Sequence, residues 1–284
     1  MKIEYLQHDD VLGRWTLARS EPESLRGLVQ GVWHFEGTLT RRRERHFPRG
    51  ILELIVHLGP AYRQVDRGGS TRSFSTTCFT GIQLQPDVVE APDGHSAVLG
   101  IRLTPAGAAA LLSGPLHELT GHTVDLADLL PEVKDELLGP LLEARTVEDR
   151  IRQAAVWAAS RIRAAERPDP AIVWAAREIE RASGRLSIKQ LRERSGSSRT
   201  RFTQAFKETV GVPPKTFARL VRFQAALERL NGQETPLVEI ALRAGYYDQP
   251  HFNADFKELS GFTPTEYLRE LRYPAGVSVA HPTP

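Results

Sequence analysis

Arg199, Thr200, Arg201, Thr203 and Gln204 share one side of a stretch whose other side carries Phe202 and Phe206. Arginine offers two parallel N–H donors to guanine, glutamine pairs in two places with adenine, and the threonine methyl packs on the thymine methyl. Such a set reads base edges in a DNA major groove. Ser198 stands just before it as an N-cap. Lys207 lies late in the stretch, where phosphate contact and complementarity to a helix C-terminus are equally good readings. Fifty residues on, Gln249, His251, Asn253, Ala254 and Lys257 occupy matching positions. Ala254 cannot hydrogen-bond a base, and Asp255 adds negative charge nearby. The second copy is therefore expected to hold backbone register more than sequence.

Those residues need helices to carry them, and the chain writes the same unit twice. Phe202, Phe206, Lys207, Glu208, Gly211, Pro214 and Phe217 recur as Phe252, Phe256, Lys257, Glu258, Gly261, Pro264 and Tyr267. Self-similarity at a fixed period marks one supersecondary unit used twice. Each copy reads as helix, Gly-containing turn, helix, which is the helix-turn-helix plan. The punctuation is full. Asp169-Pro170 opens a helix ended near Gly184. Ser187 and Gln190 form a capping-box pattern, and Gly196 turns the chain. Pro213-Pro214 opens a long helix that ends at Asn231-Gly232. Thr235-Pro236 opens the next, Asp248 caps a second recognition helix, and Thr263 with Glu266 caps the last. Seven helices are expected.

Net charge is only +2, but it is unevenly spread. Residues 181–229 hold 12 basic and 3 acidic residues, a net of +9, whereas residues 230–273 hold 4 and 7, a net of −3. Residues 1–168 hold 20 basic and 22 acidic residues, a net of −2. A basic stretch coinciding with a helix-turn-helix is the footprint of phosphate binding. Arg219 and Arg222 are expected among the phosphate contacts.

The first hundred residues read as short strands. Leu28–Glu36, Ile51–Leu58, Ser73–Ile82 and Ala97–Leu103 are rich in apolar and β-branched residues between Gly and Pro turns. Leu52, Leu54, Val56 and Leu58 share one strand face, with Glu53 and His57 on the other. A small antiparallel barrel or sandwich follows. Helices are expected over Thr104–Leu112, Asp125–Leu130, Glu132–Ala144 and Val147–Arg163. Ile151, Ala155, Ala158 and Ile162 stripe the last of these, facing either its own barrel or a second subunit. The fold class is multidomain α+β: a β-rich, cupin-like first domain with trailing helices over 1–166, an all-α tandem helix-turn-helix domain over 167–273, and a flexible tail over 274–284. The linker is Glu166–Pro170, where two Pro residues block a continuous helix.

No Ser-His-Asp set, Gly-rich phosphate loop or paired-carboxylate motif stands out, and no catalytic residue or cofactor is expected. His117 and His122 are five apart and do not share a helix face, so no metal site is expected there. Trp33, His34, Glu36, His46, Glu53 and His57 are the candidate pocket residues of the first domain. Cys78 stands alone, and a small buried hydrophobe is the ordinary role of such a residue. No run approaches the ~18 apolar residues of a membrane helix, and the opening MKIEYLQHDD lacks a signal-peptide pattern. A cytoplasmic protein with no membrane partner is expected.

The pattern from Leu186 to Leu271, above all Ala244–Tyr267, resembles the AraC/XylS-type transcriptional regulators over about the last hundred residues. The upstream region resembles, more weakly, the barrel-plus-helices sensor domains of such proteins. The resemblance implies two recognition helices in successive major grooves of double-stranded DNA. A connecting helix of about 18 residues spans ~27 Å, against ~34 Å between grooves on one DNA face. A small-molecule effector, a homodimer through the late helices around Val147–Arg163 and a contact with RNA polymerase are expected as partners. The chain departs from the family at Gln204 and Ala254, where Arg is frequent, and at Arg192, where a small Ala is usual. Arg192 must snorkel out of the helix packing. Two other functions fit the same residues: a constitutive DNA binder whose first domain only dimerises, and an enzyme domain fused to a DNA-binding module.

Overall fold

Leu52, Leu54 and Val56 are completely buried while Glu53 and Ile55 between them keep solvent contact. That period of two, repeated on neighbouring strands, builds the first domain. The computed structural model of the chain describes residues 1–10, 13–66, 68–112, 114–164, 167–232, 236–272 and 278–279. The strands are β1 (Glu4–Asp10), β2 (Gly13–Ser20), β3 (Val29–Leu39), β4 (Arg43–His46), β5 (Leu52–His57), β6 (Arg63–Val65), β7 (Thr71–Ser73), β8 (Thr77–Thr80), β9 (Asp87–Glu90), β10 (His95–Leu103), β11 (Thr123–Asp125) and β12 (Ser278–Val279). One sheet runs β1-β2-β3-β10-β5-β8-β11 and a second runs β12-β4-β9-β6-β7. All pairings are antiparallel except β12 on β4. The rest of the expected tail, 274–277 and 280–284, lies outside the described residues, as do residues 165 and 166 at the expected linker.

Register fixes which side chains share a face. His34, Leu99 and Val56 lie in one cross-strand row, and Trp33, Gly100 and Ile55 in the next. The face holding Val32, His34, Leu54, Val56, Leu99 and Ile101 is 0–1% exposed, because helices cover it. The helices of this half are α1 (Pro105–Leu112), α2 (Leu126–Leu129), α3 (Gly139–Glu143) and α4 (Val147–Ala164). Thr104 caps α1, its hydroxyl accepting the Gly107 N–H at 3.1 Å. The helix expected over Glu132–Ala144 is a π-turn over Lys134–Leu138 running into α3. Pro140 has no N–H to give the Glu136 carbonyl, and the turn before it is widened. The stripe on α4 is spent inside the chain: Ile151 and Ala158 are 0% exposed, and α4 packs on α1, β2, β3 and β10. Cys78 is buried too, and burial, with Asp125 and Glu53 nearby, pushes its thiol up to about 12. That is the chemistry of an inert core residue.

The second half consists, among the described residues, of the seven expected helices: α5 (Pro170–Arg181), α6 (Ile188–Arg194), α7 (Arg199–Val210), α8 (Pro214–Gly232), α9 (Leu237–Ala244), α10 (Gln249–Ser260) and α11 (Pro264–Arg272). The expected caps hold. Asp169, Ser187, Ser198 and Asp248 accept from backbone N–H groups two or three residues on. Thr263 and Glu266 bond reciprocally as a capping box. Thr235 lies outside the described residues. Gly211 and Gly261 end the recognition helices at φ 102° and 82°, a conformation that favours glycine. The repeat is a packing repeat: Phe206 meets Phe217 at 5.9 Å between ring centroids, and Phe256 meets Tyr267 at 5.6 Å. These four rings are 0% exposed, each worth ~1.5–3 kcal/mol of burial.

The halves touch. Leu116–Leu119, a short 3-10 turn, and α1 pack on α7. The Thr120 hydroxyl donates to the Gly211 carbonyl at 2.6 Å, and Arg177 donates to the Gly27 carbonyl at 3.0 Å.

Candidate DNA interface and inner-barrel cluster

On α7 the inward residues Phe202, Phe206 and Val210 anchor the helix against α5 and α8. That anchoring turns Ser198, Arg199, Thr200, Arg201, Thr203 and Gln204 outward, and all six are exposed. Lys207 is half-buried. Gln204 Nε2 donates to Glu208 Oε1 at 2.7 Å, a bond it must exchange to read a base. Arg192 is half-buried, its side chain 27% exposed, and its guanidinium reaches Glu193 at 3.4 Å.

On α10, His251, Ala254 and Lys257 are exposed, while Gln249 and Asn253 are half-buried. Asn253 Oδ1 is shut from solvent and has no hydrogen-bond partner among the described residues. Asp255 corrects the sequence reading, because it points inward rather than toward DNA. It accepts from Arg219 Nε at 2.5 Å and from the Tyr246 hydroxyl at 2.8 Å. Arg219 also holds Glu258 at 2.7 Å. The expectation that Arg219 and Arg222 contact phosphate gives way likewise. A carboxylate this buried needs a counter-charge, and Arg219 on α8 supplies it. Burial works to lower the Arg219 pKa, and the bonds to Glu258 and Asp255 outweigh it. The Arg222 guanidinium lies over the Tyr246 ring, 5.3 Å from its centroid. Both arginines fasten the connecting helix to the second helix-turn-helix.

The six candidate pocket residues divide between the two faces of the main sheet. Trp33 and Glu53 meet on the inner face, where Trp33 Nε1 donates to Glu53 Oε1 at 2.7 Å. Arg102 Nε donates to the same oxygen at 3.0 Å. His46 joins this side through Arg49, with Nη2 of Arg49 3.2 Å from His46 Nδ1. Burial works to raise the Glu53 carboxyl, but Arg102, Arg49 and the Trp33 bond hold it below its ordinary value. His57 shares this face but stacks with Phe74 and bonds the Ser75 carbonyl. His34 lies on the opposite face under α4, 3.3 Å from Arg150. Burial first and the Arg150 charge second lower it to about 4, against a weaker upward pull from Glu36. Glu36 pairs with exposed His95 at 3.3 Å. Sequence reasoning missed Arg102 and Arg49. Arg102 had a signal, as a lone charge inside the apolar strand Ala97–Leu103; Arg49 had none.

Comparison with known proteins follows the same division. The helix-turn-helix domain family matches residues 191–270, and a family described as Domain of unknown function (DUF6597) matches residues 21–125. An HTH-type transcriptional regulator of Haemophilus influenzae is 32% identical over 84 residues, 30% of this chain and 28% of that protein. The F1 operon positive regulatory protein of Yersinia pestis is 36% identical over 73 residues, 26% and 24% of the two chains. The chain is similar to helix-turn-helix transcriptional regulators over its last third. Its alignments span under a third of the length of these curated relatives. Among solved structures, ToxT from Vibrio cholerae O395 aligns over 82% of this chain and 97% of its own, with 13% identity and a TM-score of 0.46. The C-terminal domain of AraT from Geobacillus stearothermophilus aligns over 42% and 95%, with 25% identity and a TM-score of 0.35. No group of three or more His, Cys, Asp or Glu side chains is placed to hold a metal among the described residues. No described helix is long and apolar enough to cross a membrane.

Proposed function

We propose that this chain is an AraC/XylS-type, sequence-specific DNA-binding transcription regulator whose first domain answers to a small-molecule effector. The observation that carries the reading is the display on α7. Its hydrogen-bonding side chains are solvent-exposed at the start of a capped second helix of a helix-turn-helix, the position that enters a major groove. The 19-residue α8 joins this unit to a second one and spans ~28 Å. The inter-domain contacts give the first domain a route to influence both units, so an effector with different affinity for docked and undocked forms shifts the DNA-competent population.

A homodimer and a contact with RNA polymerase belong to the same reading. The Ile151/Ala155/Ala158/Ile162 stripe is occupied within the chain, which leaves the outer side of α4, with Val156 62% exposed, for a second copy.

The test is selection of binding sites from random duplex DNA by the full-length protein, followed by mobility shift of the selected site. A site enriched by the native protein and lost with Arg199→Ala/Arg201→Ala supports the reading. Enrichment of nothing at low salt removes it.

A further inference from the structure

The segment joining β4 to β5 faces two ways. The Phe47 ring stands edge-on to Phe223, Phe262 and Tyr267, with centroids 6.3, 6.4 and 5.7 Å away. The Pro48 carbonyl accepts from Gln224 Nε2 at 2.6 Å. Gly50 lies so close to Phe217 that a Cβ there would come within 2.8 Å of the ring. Phe217, Phe223 and Gln224 are all on α8, and Phe262 and Tyr267 close the second helix-turn-helix. Three of four consecutive residues thus grip the DNA-binding half.

Arg49 turns the other way, into the first domain. Its hydrogen-bond partner is His46, and it has no carboxylate within ion-pair reach among the described residues. Glu53, the acid beside it, already accepts from Trp33 and Arg102. Burial first and the like charge of Arg102 second lower the Arg49 pKa, with Glu53 and Glu44 pulling the other way. Arg49 is half-buried and none of its nitrogens is sealed from solvent without a partner, so its unused N–H donors are open to an acceptor-rich group, which a guanidinium binds with charge-assisted bonds. Solvent reaches this face. Trp33, Phe35, Glu53, Ile55 and Arg102 are half-buried, whereas the opposite face of the same strands is closed.

We propose that Arg49 anchors the carboxylate or phosphate of a small effector whose apolar body lies against Trp33, and that residues 47–50 pass its arrival to α8. The planar fork of the guanidinium fits either oxyanion in two places. A ligand that moves Arg49 moves a residue bonded directly to Pro48 and Gly50, and both of these touch α8. The inference rests on the regulatory reading and names the ligand class of its sensing domain.

Melting of the full-length protein is followed with inorganic phosphate, glycerol phosphate, benzoate and straight-chain carboxylates from acetate to decanoate, with benzamide as the uncharged control. At about ten times its Kd, a binding probe should raise the melting temperature by roughly 3–5 °C. The phosphate and carboxylate arms tell the two sources apart. Arg49→Met should abolish the shift, Arg49→Lys should weaken binding about tenfold by losing the fork, and Arg72→Met on exposed β7 should leave it intact. Hydrogen exchange of α8 amides should change with the effective probe in the native protein and in Arg72→Met, but not in Arg49→Met. The proposal is overturned if no oxyanion shifts the melting, if the shift survives Arg49→Met, if benzamide matches it, or if α8 exchange ignores the bound probe. DNA binding without any probe is scored separately. A protein that binds DNA but no oxyanion loses this inference and keeps the regulatory reading; one that binds an oxyanion through Arg49 but no DNA does the reverse.

Discussion

Arg219 on α8 donates to Asp255 on α10 at 2.5 Å, so the helix that connects the two DNA-binding units is locked to the second recognition helix by a largely buried ion pair. The Tyr246 hydroxyl completes the carboxylate at 2.8 Å. Burial first and the Asp255 charge second raise the Tyr246 pKa, so this phenol stays a donor at neutral pH.

Asp255→Ala strands a guanidinium and a buried hydroxyl together. Removing one member of a buried pair costs ~3–5 kcal/mol. Arg219 keeps 29% of its side chain in solvent and retains Glu258, which discounts the loss to about 2–3 kcal/mol. Urea unfolding of the native and substituted proteins measures it. A change below about 0.5 kcal/mol, the scale of ordinary surface substitutions, would show that the pair does not lock the helices.

His34 gives the first domain a pH dependence whose sign is fixed. Its folded pKa is about 4 against 6.5 for the free side chain. Between those values the unfolded chain binds a proton that the folded chain refuses. Its contribution is therefore whole above pH 6.5, falls as pH drops toward 4, and is flat below. The shift corresponds to ~3 kcal/mol. Denaturation midpoints measured from pH 7 to pH 4 should decline in the native protein, and the decline should be shallower in His34→Gln. Equal slopes would mean that His34 is not held neutral.

Much of the second half was legible because its signals are local. Ser198, Asp248 and the Thr263–Glu266 pair bond within three residues, a distance that sequence displays directly. The inward aim of Asp255 was not legible, since its partner Arg219 lies 36 residues away and meets it only when α8 crosses α10. In the first half, alternation separated Leu52, Leu54 and Val56 from Glu53. It could not say that His34 would sit beneath α4 while Trp33 faced inward, because that depends on which side the helices cover. Strands β4, β6 and β7 read Arg-Glu-Arg-His, Arg-Gln-Val and Thr-Arg-Ser and carry no apolar period. Their place is set by pairing across the sheet, as with Glu90, which gathers Arg42, Arg43 and Arg63.

Two substitutions on α4 separate packing from association. Ala158 is 0% exposed beneath the helix and Val156 is 62% exposed on its outer side. Ala158→Glu buries an unpaired carboxylate and should destabilise the first domain by more than ~3 kcal/mol. Val156→Glu should leave melting nearly unchanged and shift sedimentation at micromolar protein from dimer toward monomer. A native protein that sediments as a monomer at tens of micromolar removes the dimer.

The first helix-turn-helix should dominate both affinity and readout. Residues 181–229 carry a net charge of +9 (12 basic, 3 acidic) and residues 230–273 carry −3 (4 basic, 7 acidic). The structure sharpens the contrast at the side chains. Arg199 and Arg201 are exposed, while Asn253 is half-buried and its carbonyl oxygen is shut from solvent. A lost bidentate guanine contact costs ~1–3 kcal/mol and relaxes one base position. Arg199→Ala or Arg201→Ala should therefore weaken binding to a selected site by about tenfold or more, and Asn253→Ala by less. Salt dependence gives an independent check. Each phosphate contact contributes ~0.9 to the slope of log K against log salt. Arg219 and Arg222 are engaged inside the protein, so removing either should lower stability and leave the slope unchanged in molecules that still fold. Footprinting with a base-substitution scan on the selected site decides the rest. If the steeper sequence dependence falls on the half bound by Gln249–Ala254, readout belongs to α10, and the positive charge around α7 serves only to hold the DNA.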